Sequence, residues 1–119
     1  MKDRSLLENN GINVEASLDI LGDMEMYDET LADFLDEVDE KIEKLREYNA
    51  SHDMANYAII AHSLKSDSKY LGFTKLAELA LDHELKGKEN DSEYVSLHFD
   101  EFMNEAARII KVVREYMGK

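Results

Sequence analysis

In the stretch AHSLKSDSKYLG, Ala61 to Gly72, His62 is followed by Lys65, Ser66 and Lys69. Offsets of three, four and seven residues put these four side chains on one stripe of an α-helix. With Tyr57 taken as zero and about 100° per residue, Ala61, Leu64, Ser68 and Leu71 fall within about 40° of it. On the same scale His62 lies near 140°, Lys65 near 80°, Lys69 near 120° and Ser66 near 180°. Ala61, Leu64, Ser68 and Leu71 thus make a core face, while the stripe begun by His62 faces outward, so His62 is not a core histidine. An imidazole in water is largely neutral at pH 7 and carries a free nitrogen lone pair, a nucleophile that needs no base. Ala58 and Ile59, one turn earlier, offer no base or orienting carboxylate within the helix, which favours nucleophilic attack over acid–base work. A phosphoryl group arriving on that nitrogen brings about two negative charges. Lys65 and Lys69 can offset them through charge-assisted hydrogen bonds, and Ser66 is small enough to leave room for the group and its donor.

Helices must position this stripe, and the sequence is written for them. It has no proline and only five glycines, the two strongest helix breakers. Tyr27, Leu31, Phe34, Leu35, Val38, Ile42, Leu45 and Tyr48 recur at steps of three and four, predicting a helix over 23–48 with an acidic outer face. NASHDM breaks it, and Ser51 or Asp53 can cap a second helix over 53–71, closed near Gly72. Leu76, Leu79 and Ala80 mark a third over 74–87, followed by the turn GKENDS with Asp91 as the next cap. Val95, Phe99, Phe102, Ala106, Ile109, Val113 and Tyr116 give a fourth over 92–117. Val14, Leu18 and Leu21 predict a short helix over 13–21, closed by Gly22 and packed across one end. Four amphipathic helices with short links bury their stripes most simply as an all-α, up-and-down antiparallel four-helix bundle with that short additional N-terminal helix.

Composition excludes several functions. The 119 residues suffice for one domain over 1–119, and 44% hydrophobic residues for one modest core. A net charge of −13 repels nucleic acid and anionic membrane. Without cysteine there is no thiolate nucleophile or thiolate metal site. MKDRSLLENNGI lacks an apolar signal core and no run approaches a membrane span, so the expected location is the cytoplasm. A self-contained bundle with a charged exterior is expected to be a monomer.

The remaining residues have plainer readings. His83 shares a side with Leu76 and Ala80 and reads as a half-buried packing residue with a hydrogen-bond partner; His52 and His98 read as solvated. Leu81 and Leu85 lie off the core side of their helix and read as contacts for the short first helix, ahead of an exposed patch for a partner. Met24, Met26 and Met103 read as gap fillers. Lys65 and Lys69 could instead simply pair with carboxylates such as Asp67. A carboxylate-bridged metal bundle needs Glu-x-x-His pairs, and none of His62, His83 and His98 has a glutamate three residues before it, so no metal site is expected.

The segment AHSLKSDSKYLGFTKLAELALDHE resembles the histidine-containing phosphotransfer (HPt) domain of phosphorelays. Ala61, His62, Leu64, Lys65, Leu71, Gly72, Leu76 and Glu84 match that family's pattern, and LGDMEMYDETLADFLDE is similar to its first bundle helix. Ser66 stands where the family usually has glycine, and His83 where it usually has leucine. The resemblance implies His62 as phosphoacceptor, Lys65 as phosphate stabiliser, and response-regulator receiver domains or a hybrid histidine kinase as partners; docking is expected to use small residues near His62, Ser66 and Gly72, with a rim of Lys65, Lys69 and Lys75 facing an acidic receiver site. With no glycine-rich nucleotide loop and no GxxxxGK[ST], the chain has no means of holding ATP. It is expected to relay rather than to act as a kinase, with no cofactor of its own and Mg2+ on the partner receiver. The alternative is a bundle of the same kind that binds a receiver or kinase without accepting phosphate.

Overall fold

The computed structural model describes residues 2–119. Short side chains that accept a backbone N–H begin five of its six helices. Asp3 caps α1 (Arg4–Asn9), Asn13 caps α2 (Val14–Leu21), Asp23 caps α3 (Met24–Ser51), Asp53 caps α4 (Met54–Leu71) and Asp91 caps α6 (Ser92–Met117). Only α5 (Thr74–Lys88) starts without a side-chain cap, behind the buried Phe73. Left-handed residues end the helices where the chain must turn: His52 after α3, Gly72 after α4 and Gly118 after α6.

Helices α3 to α6 form the bundle, each packed on the next in sequence, with α6 closing back on α3. The predicted stripes supply its core. Tyr27, Leu31, Phe34, Val38 and Leu45 meet Tyr57, Ala61, Leu64 and Leu71, and α6 contributes Val95, Phe99, Phe102, Ala106, Ile109, Val113 and Tyr116, all buried. Helix α2 lies across the end where α3 begins and α4 finishes, as its short apolar pattern predicts. Two bonds pin that end of α4: the Tyr27 hydroxyl donates to the Leu71 carbonyl at 2.9 Å, and the Asn13 amide to the Gly72 carbonyl at 2.9 Å.

The periodicity of the sequence does not reveal α1. It is six residues long and buries one side chain, Leu7, too little to register as a period. It packs on α6, where Arg108 donates to the Asn10 carbonyl at 3.0 Å. Helix α3 also runs to Ser51 rather than 48, because the left-handed His52 and not the polar run before it makes the break. Among the methionines, Met54 and Met103 are buried, but Met26 is exposed and fills no gap.

Gly72 combines a positive φ of 80° with close approach to α2. A Cβ there would collide with the Asn13 carbonyl oxygen and lie 2.7 Å from its carbon. Gly72→Ala is therefore expected to lower stability by about 2 kcal/mol or more, seen as a lower denaturant midpoint with unchanged slope. A midpoint equal to that of the parent contradicts this account of the α2–α4 junction.

Candidate functional site

Helices α4 and α5 are the most closely packed pair in the molecule, and their facing residues are small. Ala58, Ala61, Ala77, Ala80 and Gly87 are all buried. A Cβ on Gly87 would sit 3.1 Å from that of Ala58, so glycine sets the separation. At this spacing a side chain of ordinary length on one helix reaches the outer stripe of the other.

Glu84 makes that reach. His62 projects from the middle of α4 with 58% of its side chain exposed, and its Nδ1 lies 2.8 Å from Oε2 of Glu84 on α5. The Glu84 side chain is only 3% exposed. Lys65 Nζ donates to Oε1 at 2.7 Å, and Lys88 Nζ stands 2.9 Å from Oε2. Burial by itself pushes the Glu84 pKa up, but hydrogen bonds from Lys65, Lys88 and His62 outweigh it and hold the carboxyl at about 2. An ionised carboxylate only accepts, so the hydrogen must be on Nδ1 of His62. In the neutral ring Nε2 then holds the lone pair, and the side chain is more than half open to water. The arrangement presents an oriented nucleophile beside two ammonium groups.

Two grooves flank the α4–α5 seam. One, of about 690 Å³, is bounded by Ala58, Ile59, His62, Glu84, Gly87 and Lys88. The other, of about 380 Å³, lies between α2, α4 and α5, with Ile20, Lys65, Lys69, Ala77 and Leu81 among its walls.

The structure brings some of the residues singled out above together and leaves others apart. Lys65 is one turn from His62 but is 17% exposed and bound to Glu84. Ser66 is half-buried and borders neither groove. Lys69 is exposed on the second groove and has no ion-pair partner among the described residues. Asp67 opposes neither lysine, because Lys41 of α3 takes it at 2.6 Å. Lys75 is exposed on the first turn of α5, about 180° around that helix from Glu84. Gly72 is buried at the α2 junction.

Two members of the cluster were given no role by the sequence. No carboxylate precedes His62 on its own helix, and the one that orients it comes from 22 residues later. Glu84 and Lys88 do form an i, i+4 pair, a local signal that was available. Nothing local says that the pair faces α4.

Next to Glu84, His83 points about 100° away, into the core. It is 1% exposed rather than half-buried, hydrogen-bonded through Nδ1 to the Tyr57 hydroxyl at 2.8 Å and 4.4 Å from the Phe102 ring centre. Its Nε2 has no hydrogen-bond partner among the described residues, and burial pushes its pKa down to about 4 against a smaller opposing effect from the His98 backbone. His98 is half-buried against the Tyr94 ring rather than solvated. Leu81 and Leu85 are both exposed rather than packed on the short helix, although Leu81 lines the second groove together with α2 residues.

Among the described residues no cluster of three or more histidine or carboxylate groups is arranged to hold a metal ion, and no helix is long and apolar enough to cross a membrane. A family model described as Hpt domain matches residues 29–112, well over half of the chain and including both α4 and α5. No curated protein and no solved structure gives a significant match.

The two adjacent titrating residues give an acid profile. Unfolded, His83 takes up a proton near pH 6.5, whereas in the fold it resists until about pH 4. The unfolded state binds more protons in that interval, so stability falls as pH drops through it, by about 3 kcal/mol in all. Glu84 acts lower down: the stability it contributes is fully present above 4.5 and is lost as pH falls toward about 2. Denaturant unfolding between pH 7 and 2 is expected to show both declines, with His83→Leu flattening the upper and Glu84→Gln the lower. A parent curve level from pH 6.5 to 4 refutes a neutral, buried His83.

Proposed function

Because the chain belongs to the Hpt domain family, we propose that it is a phosphorelay intermediate in which His62 takes a phosphoryl group from the aspartyl phosphate of a receiver domain and passes it to another receiver aspartate. Hpt domains work with response-regulator receiver and histidine kinase proteins, and in this reading the chain meets them in the cytoplasm. The observation that carries the proposal is the exposed His62 ring held through Nδ1 by a buried, ionised Glu84.

The chemistry balances without a proton shuttle. The Nε2 lone pair attacks phosphorus in line, the P–N bond forms as the P–O bond to the aspartyl carboxyl oxygen breaks, and the aspartate leaves as its carboxylate. The ring keeps its Nδ1 hydrogen and gains the positive charge, which lies against Glu84. Reversal needs no regrouping of protons, so the same geometry serves loading and unloading. Positioning and charge neutralisation are what such a transfer asks of a protein. In this reading Mg2+ belongs to the acidic pocket of the receiver, and the chain itself supplies the acceptor and the cations. Docking uses Ser66 and Lys69 together with the apolar Ile20 and Leu81, a cationic face complementary to an acidic pocket, while Lys75, turned away from Glu84 on α5, stands outside it. Gly72 lets α2 seat close enough to join that face.

Incubation with a receiver domain carrying labelled phosphate is expected to move label onto this chain, and His62→Gln to abolish the transfer. Glu84→Ala is expected to slow transfer on the order of tenfold to a hundredfold, the scale seen when a partner that orients a functional histidine is removed. Binding of the receiver with no label transferred from it, in the parent protein, decides for the adaptor reading instead.

A further inference from the structure

The resemblance assigns phosphate stabilisation to Lys65. The geometry points to a different division of labour, which rests on the phosphotransfer reading: we propose that Lys88 is the cation that meets the phosphoryl group on His62, and that Lys65 is a positioning residue acting through Glu84.

Three donors converge on the two oxygens of Glu84. Lys65 alone occupies Oε1, at 2.7 Å, with 17% of its side chain exposed. His62 and Lys88 share Oε2, at 2.8 and 2.9 Å. Moving Lys65 toward a group on Nε2 would strip Oε1 of its only partner among the described residues and leave part of a buried charge unpaired, which is costly. Moving Lys88 does not, because Oε2 keeps the Nδ1 hydrogen of His62. Lys88 is also free to move, with 62% of its side chain exposed on the wall of the larger groove that His62 borders. Its ammonium is no more than two hydrogen-bond lengths from the ring already. When the ring becomes positive on phosphorylation, its hold on Oε2 strengthens, and the incoming phosphoryl oxygens offer Lys88 more negative charge than a shared carboxylate oxygen does. The ammonium therefore passes from Glu84 to the phosphoryl group while the ring stays in place. Lys65, by keeping Oε1 satisfied, keeps Glu84 ionised and the Nδ1 hydrogen where it is.

The two roles separate with a small donor that needs no docking surface. With ammonium phosphoramidate as donor and phosphorus NMR as readout, Lys88→Gln is expected to load His62 about tenfold more slowly than the parent, and Lys88→Arg to recover most of that loss. The nitrogen NMR shifts of the unloaded His62 ring are expected to stay at parent values in Lys88→Gln. In Lys65→Met they are expected to move toward a mixture of the two neutral tautomers. Equal thermal midpoints for Lys88→Gln and the parent check that the fold is intact. Loading of Lys88→Gln at the parent rate overturns the proposal. So does a Lys65→Met variant that loads slowly with the ring shifts unmoved, because Lys65 would then be the phosphate cation. A parent protein that takes no phosphoryl group from phosphoramidate or from a receiver overturns the phosphotransfer reading itself, a result distinct from either of these.

Discussion

A buried carboxylate with three donors is the interaction on which the site depends. Glu84 is 3% exposed and still ionised because His62 and Lys65 hydrogen-bond to it and Lys88 pairs with it at 2.9 Å. Its charge does two things at once. It dictates which nitrogen of His62 carries hydrogen, and it gathers two ammonium groups around its own oxygens beside the ring. Neither effect needs a residue on the helix of His62 to act as a base. No carboxylate stands one turn before His62 on α4, but that absence describes only the helix and not the site, because the carboxylate arrives across the helix–helix seam.

That crossing rests on packing. Gly87 and the alanines at the α4–α5 contact bring the two backbones close, and larger residues there would hold Glu84 away from His62. The rotation of α5 about its axis is set from its other side, where His83 is bound to Tyr57 and packed on Phe102. Consecutive residues thus point about 100° apart on the helix, one into the core and one into the seam. A leucine at position 83 would fill the core without titrating, so the histidine costs stability in acid and returns a directional bond to α4.

The bundle was legible because its signal is distributed. Each long helix repeats its apolar residues over several turns, and caps such as Asp53 and Asp91 are short-range features that the chain states locally. The short α1 was not legible, since two leucines make no period. At the site, the outward direction of His62 followed from angle alone. The partners of Lys65 and Asp67 did not: each lies near a neighbour on its own helix, yet each binds a residue on another, Glu84 of α5 and Lys41 of α3. Helical angle says which way a side chain leaves its helix, and only the packing says what it meets there. For the same reason the angle of His83 suggests half-burial, whereas α4 and α6 enclose it fully.

The acidity of the chain and the basic character of the site are parts of one arrangement. With a net charge of −13, stray surface cations find carboxylates nearby, as Lys41 and Lys44 do on α3. Around His62 the balance is reversed: two lysines surround one carboxylate, leaving a surplus of one positive charge before any phosphoryl group arrives. A free pair of lysines at that spacing would repel each other and be screened by solvent. Glu84 holds them in place against that repulsion, at the cost of neutralising one. In the proposed phosphotransfer, a dianionic phosphoryl group would meet one surplus charge at the site and a further cation at Lys69 on the outer stripe. The remaining acidic surface discourages competing polyanions from the same histidine. The carboxylate that cancels part of the positive charge near His62 is therefore also what assembles it.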